Sequence, residues 1–349
     1  MARLSEKDTR AIGLDEVWRV GGSNPRQEIA EPASVSVSAS GYAAVVDFSL
    51  GQVNVISPRG RWLGPWARRG RGPGELTMPV AANWAGDTLI VYDIEQSKIS
   101  RYRNGESLDD SRIPPKLSAA VAASGVIAFV AVKSDGTVIL QQPLQSQAAD
   151  DSSEFVVMQA SPTSAPDTLL KATVQHVVWD EGMMPHPAGA FPRIAVGPDN
   201  WFAVAASDGS RRVLVGHGGA VRQLCGTIPA LPLSPQERGD GTAPRGFEAA
   251  FSALGAAPSP RELSSIGRLL VRSNGDIWID PRRPRPFTRE GLIGAPGGSW
   301  DTYSQSGEYL GTVHAPQNVA IQAVSDSVVV GIQFNEMDEA WVIGYRISQ

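Results

Sequence analysis

Cysteine is almost absent from this chain: Cys225 stands alone among 349 residues. It cannot close an internal disulfide, and its place in the apolar run from Val221 to Ile228 reads as a buried, inert thiol. Long apolar runs are missing as well. Nothing approaches the roughly 20 apolar residues of a membrane-spanning helix, and the opening MARLSEKDTR has no apolar stretch of the kind a signal peptide carries. Excess positive charge is lacking, since 31 Lys and Arg against 36 Asp and Glu leave a formal net charge of −5. The chain therefore has no general attraction for phosphate backbones or anionic lipid, and nucleic acid is not an expected partner. Histidine is scarce, with His176, His186, His217 and His314 scattered singly and none at zinc-ligand spacing. No Gly-rich phosphate loop, nucleophile elbow or dinucleotide fingerprint stands between a strand and a helix.

What the chain has in quantity is punctuation. It carries 36 Gly and 26 Pro spread along its length, with 42% apolar residues to fill a core, which favours many short strands. One unit recurs six times: an apolar run, a tight turn rich in Gly, Asn or Asp, and a second strand-like run. The turns are Ser40-Gly41, Gly86-Asp87, Asp135-Gly136, Asp199-Asn200, Asn274-Gly275 and Asp326-Ser327. Such residues accept the positive φ that hairpins need. A second class of turn follows in phase at Gly60, Gly105, Gly219 and Gly307. Where nothing is inserted the copies stand about 45 to 50 residues apart, close to the length of a four-stranded propeller blade.

The spacing predicts an all-β fold, a six-bladed β-propeller forming one domain over residues 1–349. Blades are expected near 32–66, 79–113, 119–174, 193–228, 263–314 and 318–348. The last copy has room for only three strands, and Leu14 to Gly21 is a strand-like run with no blade of its own. That N-terminal strand is expected to complete the sixth blade and so remove the open edge. Between blades four and five, residues 229–262 form an insertion with helical signals. Ser234 and Glu237 have capping-box spacing with Pro235 at the first helical position. Phe247, Ala250, Phe251 and Leu254 make one apolar stripe at helical spacing.

Residues 70–103, GRGPGELTMPVAANWAGDTLIVYDIEQSKISRYR, carry a GxGPGE connection, a Pro opening the next strand, a turn, and an apolar strand ending in Asp. In this the chain resembles the NHL-type six-bladed propellers of bacteria. The first copy keeps the frame through Pro32, Gly41, Asp47 and Val53, and later copies keep less of it. The resemblance implies architecture chiefly, because such propellers include binding platforms, lyases and proteins without assigned activity. It also implies an extracytoplasmic location, periplasmic or secreted.

In a four-stranded blade the hairpins between first and second strands, and between third and fourth, share one rim. The second-to-third loops and the blade-to-blade connections share the other. The tight turns all fall on the former, and the long segments 67–79, 175–193, 229–262 and 281–299 fall on the latter. Long loops on one side of a rigid scaffold are where binding usually resides. Expected binding residues on that rim are Arg71, Glu75, Trp179, Glu181, His186 and Arg285. Two arginine clusters, Arg68, Arg69 and Arg71, then Arg282, Arg283, Arg285 and Arg289, can form a patch for anions, or solvated charge paired with Glu75 and Glu290.

Two functions are carried forward. The first is non-enzymatic binding of a protein, peptide or anionic carbohydrate by a monomer that needs no cofactor. The second is a calcium-dependent hydrolase, lactonase or lyase whose metal is held at the channel mouth by Asp47, Asp93 and Asp280, with Asp208 a further equivalent. The competing explanation for these recurring carboxylates is that each caps its own loop.

Overall fold

The structure, a computed structural model, describes residues 2–3, 10–113, 130–133, 135–143, 152–161, 166–179, 182–186, 188–189, 192–205, 212–225, 232–240, 243, 248–259, 266–283 and 293–348. The strands are short. In chain order they are β1 (Ala2–Arg3), β2 (Ala11–Gly21), β3 (Pro32–Val37), β4 (Ala43–Asp47), β5 (Gln52–Ile56), β6 (Trp62–Arg69) and β7 (Glu75–Leu76). Next come β8 (Pro79–Ala85), β9 (Thr88–Asp93), β10 (Lys98–Arg103) and β11 (Glu106–Arg112), then β12 (Val130–Val132), β13 (Val138–Pro143), β14 (Ser152–Ala160), β15 (Asp167–Trp179) and β16 (Gly182–Pro185). β17 (Arg193–Val196), β18 (Phe202–Ala205), β19 (Arg212–His217) and β20 (Ala220–Cys225) precede one α-helix, α1 (Glu248–Ala256). The chain ends with β21 (Arg268–Val271), β22 (Ile277–Asp280), β23 (Ser299–Tyr303), β24 (Tyr309–His314), β25 (Ala320–Val324), β26 (Val329–Phe334) and β27 (Ala340–Ser348).

Consecutive strands pair antiparallel in the orders β3-β4-β5-β6, β8-β9-β10-β11, β12-β13-β14-β15, β17-β18-β19-β20, β21-β22-β23-β24 and β25-β26-β27. β2 supplies the outer partner of β27, with Trp18 opposite Gly344 and Val20 opposite Val342, and Val17 sits in a bulge of that register. The two ends of the chain are thus hydrogen-bonded together. β2 also touches β24 in parallel through Ala11 and Ile12, which joins the last two sets into one eight-stranded sheet.

The turns explain why the hairpins close where they do. Gly41 (φ 89°) and Gly275 (φ 84°) occupy the left-handed region, where a Cβ is costly. A Cβ at Gly275 would also lie 2.5 Å from the Trp201 ring. Where no glycine is present, Asp199 and Asn200 take positive φ instead, as the two residue types best able to.

Second strands are buried on both faces. β4 (AAVVD) and β9 (TLIVYD) are buried at every position, which is why they read as continuous apolar runs rather than alternating ones. In β4, Ala43 and Val45 pack toward β25–β27, whereas Ala44 and Val46 pack toward β8 and β9. The core is accordingly a set of slabs between neighbouring sheets, with one slab for each adjacent pair. First strands form a ring: β3 packs on β8, β8 on β12, β12 on β17, β17 on β21, β21 on β25, and β25 back on β3. Sheets set radially about such a ring make an all-β propeller. The expected closure by the N-terminal strand is present. Cys225 ends β20, and its side chain lies outside the described residues.

Candidate functional site in the ring of inner strands

Because the first strands of these sheets converge, they leave a cavity of about 490 Å³ between them. Its wall includes residues from β3, β8, β12, β17, β21 and β25, and its volume lies within the range of small-molecule sites. The lining is mainly apolar, from Val35, Val80, Val132, Ile194, Leu270 and Val324 among others. Polar groups gather at its two ends.

The end where the inner strands begin carries two arginines and, just before β3, the exposed Glu31. Pro32 and Pro79 open β3 and β8 opposite Asp47 and Asp93. At the corresponding place β21 opens with Arg268 opposite Asp280, and β17 opens with Arg193 opposite Ala205. Arg268 is tied down: its Nη1 donates to the carbonyls of Ile293 and Ile321 (2.7 Å for the latter), and its Nη2 to Gln322 Oε1 at 3.1 Å. Gln322 occupies a bulge of β25 and passes the network on to Ile293 O and Ala320 O. Arg193 makes one described hydrogen bond, Nε to Ile266 O at 3.0 Å. No ion pair to a carboxylate is found for it among the described residues. Burial, and then the like charges of Arg283 and Arg268, push Arg193 down to about 10. Burial does the same to Arg268, against the pull of Asp280. Both remain cationic at neutral pH.

The far end carries Asn83. Its Nδ2 donates to Gly197 O at 3.2 Å, spanning from β8 to the end of β17. Its Oδ1 is buried with no partner among the described residues, as is Oγ of Ser36 on β3.

The recurring aspartates do another job. Asp47 accepts from the amides of Ala30 (2.7 Å), Glu31 and Leu50 and from the Ser49 hydroxyl. Asp93 accepts from the amides of Thr77 (2.5 Å), Met78 and Gln96. Asp280 is gripped by Arg282, whose Nε and Nη2 reach its two oxygens at 3.0 and 2.8 Å. Each carboxylate therefore fastens a blade-to-blade connection or loop to the end of its own second strand. Among the described residues no three His, Cys, Asp or Glu side chains are grouped as metal ligands. Asp208 lies outside the described residues.

The loop residues expected to bind are dispersed. Glu75 turns back on its own connection and accepts from Gly72 N at 2.8 Å, and a Cβ at Gly70 would lie 2.0 Å from its Oε2. The GxGPGE segment is thus a self-capped turn. Arg71 is exposed and pairs with Glu95 at 2.7 Å rather than with Glu75. Trp179 ends β15 and its side chain lies outside the described residues, as do Glu181, Arg285, Arg289 and Glu290 altogether.

His186, expected among the binding residues of the rim, is only 2% exposed. Its Nδ1 accepts from Ala188 N at 3.1 Å, and burial lowers its pKa, with Glu237 raising and Arg283 lowering it further. Arg282 and Arg283 are not a solvated patch either. Arg282 also holds the carbonyls of Ala295, Pro296 and Gly297, and Arg283 forms a buried pair with Glu237 at 2.6 Å. Glu237 in turn completes a reciprocal cap with Ser234, by Ser234 N to Oε2 at 2.8 Å and Glu237 N to Ser234 Oγ at 3.3 Å. Burial alone would raise the Glu237 pKa, but the bonds from Arg283 and Ser234 outweigh it and lower it.

Sequence reasoning missed Arg193, Arg268, Gln322 and Asn83. A signal existed for Arg268: aligning the repeats on their turns sets it in the place of Pro79, seven residues before the turn glycine in both copies.

No family profile and no curated protein matches the chain. Solved structures do. A Bacteroides fragilis protein whose export is inferred aligns over 100% of this chain and 98% of its own, at 10% identity and a TM-score of 0.53. A DUF4221-family protein from Bacteroides vulgatus aligns over 98% of this chain and 100% of its own, at 8% identity and a TM-score of 0.54. A Xanthomonas campestris gluconolactonase aligns at a TM-score of 0.43 and 11% identity, too distantly to bear on activity. At these identities the likeness is one of fold, and the class is that of β-propeller proteins. Among the described residues no helix is long and apolar enough to cross a membrane.

Proposed function

We propose that the chain is a six-bladed propeller of one domain, divided as the repeat spacing predicts, and that it binds a small molecule inside the ring without transforming it. The observation that carries this reading is the cavity of about 490 Å³ bounded by all of the inner strands, with a cationic group at one end and an unpaired acceptor at the other. A mostly apolar wall with a few convergent polar groups is the usual make-up of a ligand site. The long-loop rim, including Arg71, Glu75 and the connections near Trp179, Glu181, His186 and Arg285, then forms the approach to that cavity. An extracytoplasmic location is part of the same proposal.

Ser34 lines the cavity and is only partly buried, so Ser34→Trp fills the space from an inner strand. A thermal-shift screen of small metabolites should raise the melting temperature of the wild type, because a ligand of the native state stabilises it. Ser34→Trp should lose those responses. Responses that persist in Ser34→Trp, or a wild type that responds to nothing, contradict cavity binding.

The hydrolase remains the second reading, with Asp47, Asp93 and Asp280 as its calcium ligands. The capping of each carboxylate by its own loop supports binding over catalysis. A calcium-dependent rise in melting temperature that disappears in Asp93→Asn, together with lactone turnover, would reverse that preference.

A further inference from the structure

Arg193 differs from the neighbouring arginines in what surrounds it. Arg282 faces Asp280 and Arg283 faces Glu237, and Arg268 feels Asp280 and is tied to three backbone or amide oxygens. Arg193 lines the cavity, spends only Nε on protein among the described residues, and feels two like charges with no carboxylate to offset them. Its two terminal nitrogens form a planar fork, and such a fork matches a carboxylate in two parallel bonds. Of the two arginines that line the cavity, Arg268 has its described donors spent on protein oxygens, whereas Arg193 keeps its fork for a ligand, and one fork suits one carboxylate.

At the other end, Asn83 is 2% exposed. Its amide is oriented by donation to Gly197 O, leaving Oδ1 a buried acceptor without a donor among the described residues. Ser36 Oγ, also lining the cavity, likewise has no partner among them. A buried acceptor left unpaired is destabilising, so a hydroxyl reaching it would be held. Gly197 directly follows β17 with extended backbone, four residues on from Arg193, about 13 Å at roughly 3.3 Å per residue. An extended chain advances roughly 1.2 Å per bond by backbone geometry, so a medium-length chain spans the two ends once the reach of the arginine is subtracted.

We infer that the cavity takes a medium-chain carboxylic acid bearing a distal hydroxyl. The carboxylate lies on the Arg193 fork, the apolar body lies against Val80, Ile194 and Leu270, and the hydroxyl donates to Asn83 Oδ1. This rests on the cavity being the binding site.

Calorimetric titration of the full chain with octanoate, 1-octanol and 8-hydroxyoctanoate separates the parts. Octanoate should bind about tenfold or more tighter than 1-octanol, since a charge-assisted bond is worth about 1.5–3 kcal/mol. 8-Hydroxyoctanoate should gain about fivefold more, within the range of a neutral hydrogen bond. Arg193→Gln should erase the preference for carboxylate, and Arg193→Lys should restore part of it. Asn83→Leu should erase the preference for hydroxyl. Equal affinities of octanoate and 1-octanol in the wild type overturn the carboxylate assignment, and equal affinities of the two acids overturn the hydroxyl assignment. In both cases the cavity reading survives if Ser34→Trp abolishes binding. Binding by none of the three probes, or binding untouched by Ser34→Trp, overturns the cavity reading as well. The wild-type comparisons decide even if a variant fails to fold.

Discussion

Closure of the ring depends on Trp18 lying across bare backbone, and this can be perturbed from either side. Trp18 is 7% exposed and pairs in register with Gly344. A Cβ on Gly344 would stand 2.1 Å from Trp18 Cε2 and 2.4 Å from its Cζ2, and one on Gly60 would stand 2.3 Å from Trp18 Cβ. Gly344→Ala must therefore displace the indole, at the cost of an overpacked core, about 2 kcal/mol. Trp18→Ala removes the ring and should cost about 3–5 kcal/mol. With the indole gone, the added methyl at 344 has room, and an alanine loses less chain entropy than a glycine on entering a strand, by about 0.5–1 kcal/mol. Gly344→Ala should then be neutral or slightly stabilising in the Trp18→Ala background. The coupling between the two sites comes to about 2–3 kcal/mol, well above the few tenths expected of independent sites. Urea unfolding of the four proteins measures it, provided the transitions share one slope. If Gly344→Ala costs the same in both backgrounds, β2 does not lie on β27 in this register.

Further outcomes follow from the caps and buried charges. Asp93→Asn should lower stability by about 1–3 kcal/mol, because the loop amides it accepts from lose a charged acceptor, and calcium should not raise the melting temperature of the wild type. Glu237→Ala removes the carboxylate that offsets the buried Arg283 charge, so it should cost about 3–5 kcal/mol, read by the same denaturation. For His186 the folded pKa lies below the ordinary 6.5, so the unfolded chain binds the proton more readily. Stability is then full above 6.5 and falls as pH drops below it, by at most about 1.4 kcal/mol per pH unit, levelling off below the folded pKa. His186→Asn can keep an acceptor for Ala188 N while removing the titration. Unfolding free energies at pH 7.5 and 5.5 should differ less in His186→Asn than in the wild type.

Much of the architecture was legible because it is written locally. Gly41, Gly86, Gly105, Gly219, Gly275 and Gly307 all take positive φ, so the turn positions, and with them the strands, could be placed from residue type alone. The doubly buried second strands announce themselves as unbroken apolar runs. Closure by β2 was legible from arithmetic, a strand short at one end and a strand spare at the other. The site was not legible, for a physical reason: its polar groups come from strands far apart in sequence that meet only when the ring closes. Arg193 and Arg268 look like any arginine at a strand start until Ala205 and Asp280 are seen opposite them. Arg283 looked like part of a solvated basic loop because its partner, Glu237, lies 46 residues away in sequence. His186 was expected on the binding rim because nothing in its Pro- and Gly-rich stretch of sequence tells that its side chain is buried.

The most direct test of the ring cavity is a crystal structure of the protein soaked with 8-bromooctanoate, with the bromine located by its anomalous signal. The account predicts one bromine peak inside the ring near Asn83 and a carboxylate within hydrogen-bond distance of both terminal nitrogens of Arg193. A carboxylate away from Arg193, or a bromine found only outside the ring of inner strands, would contradict it.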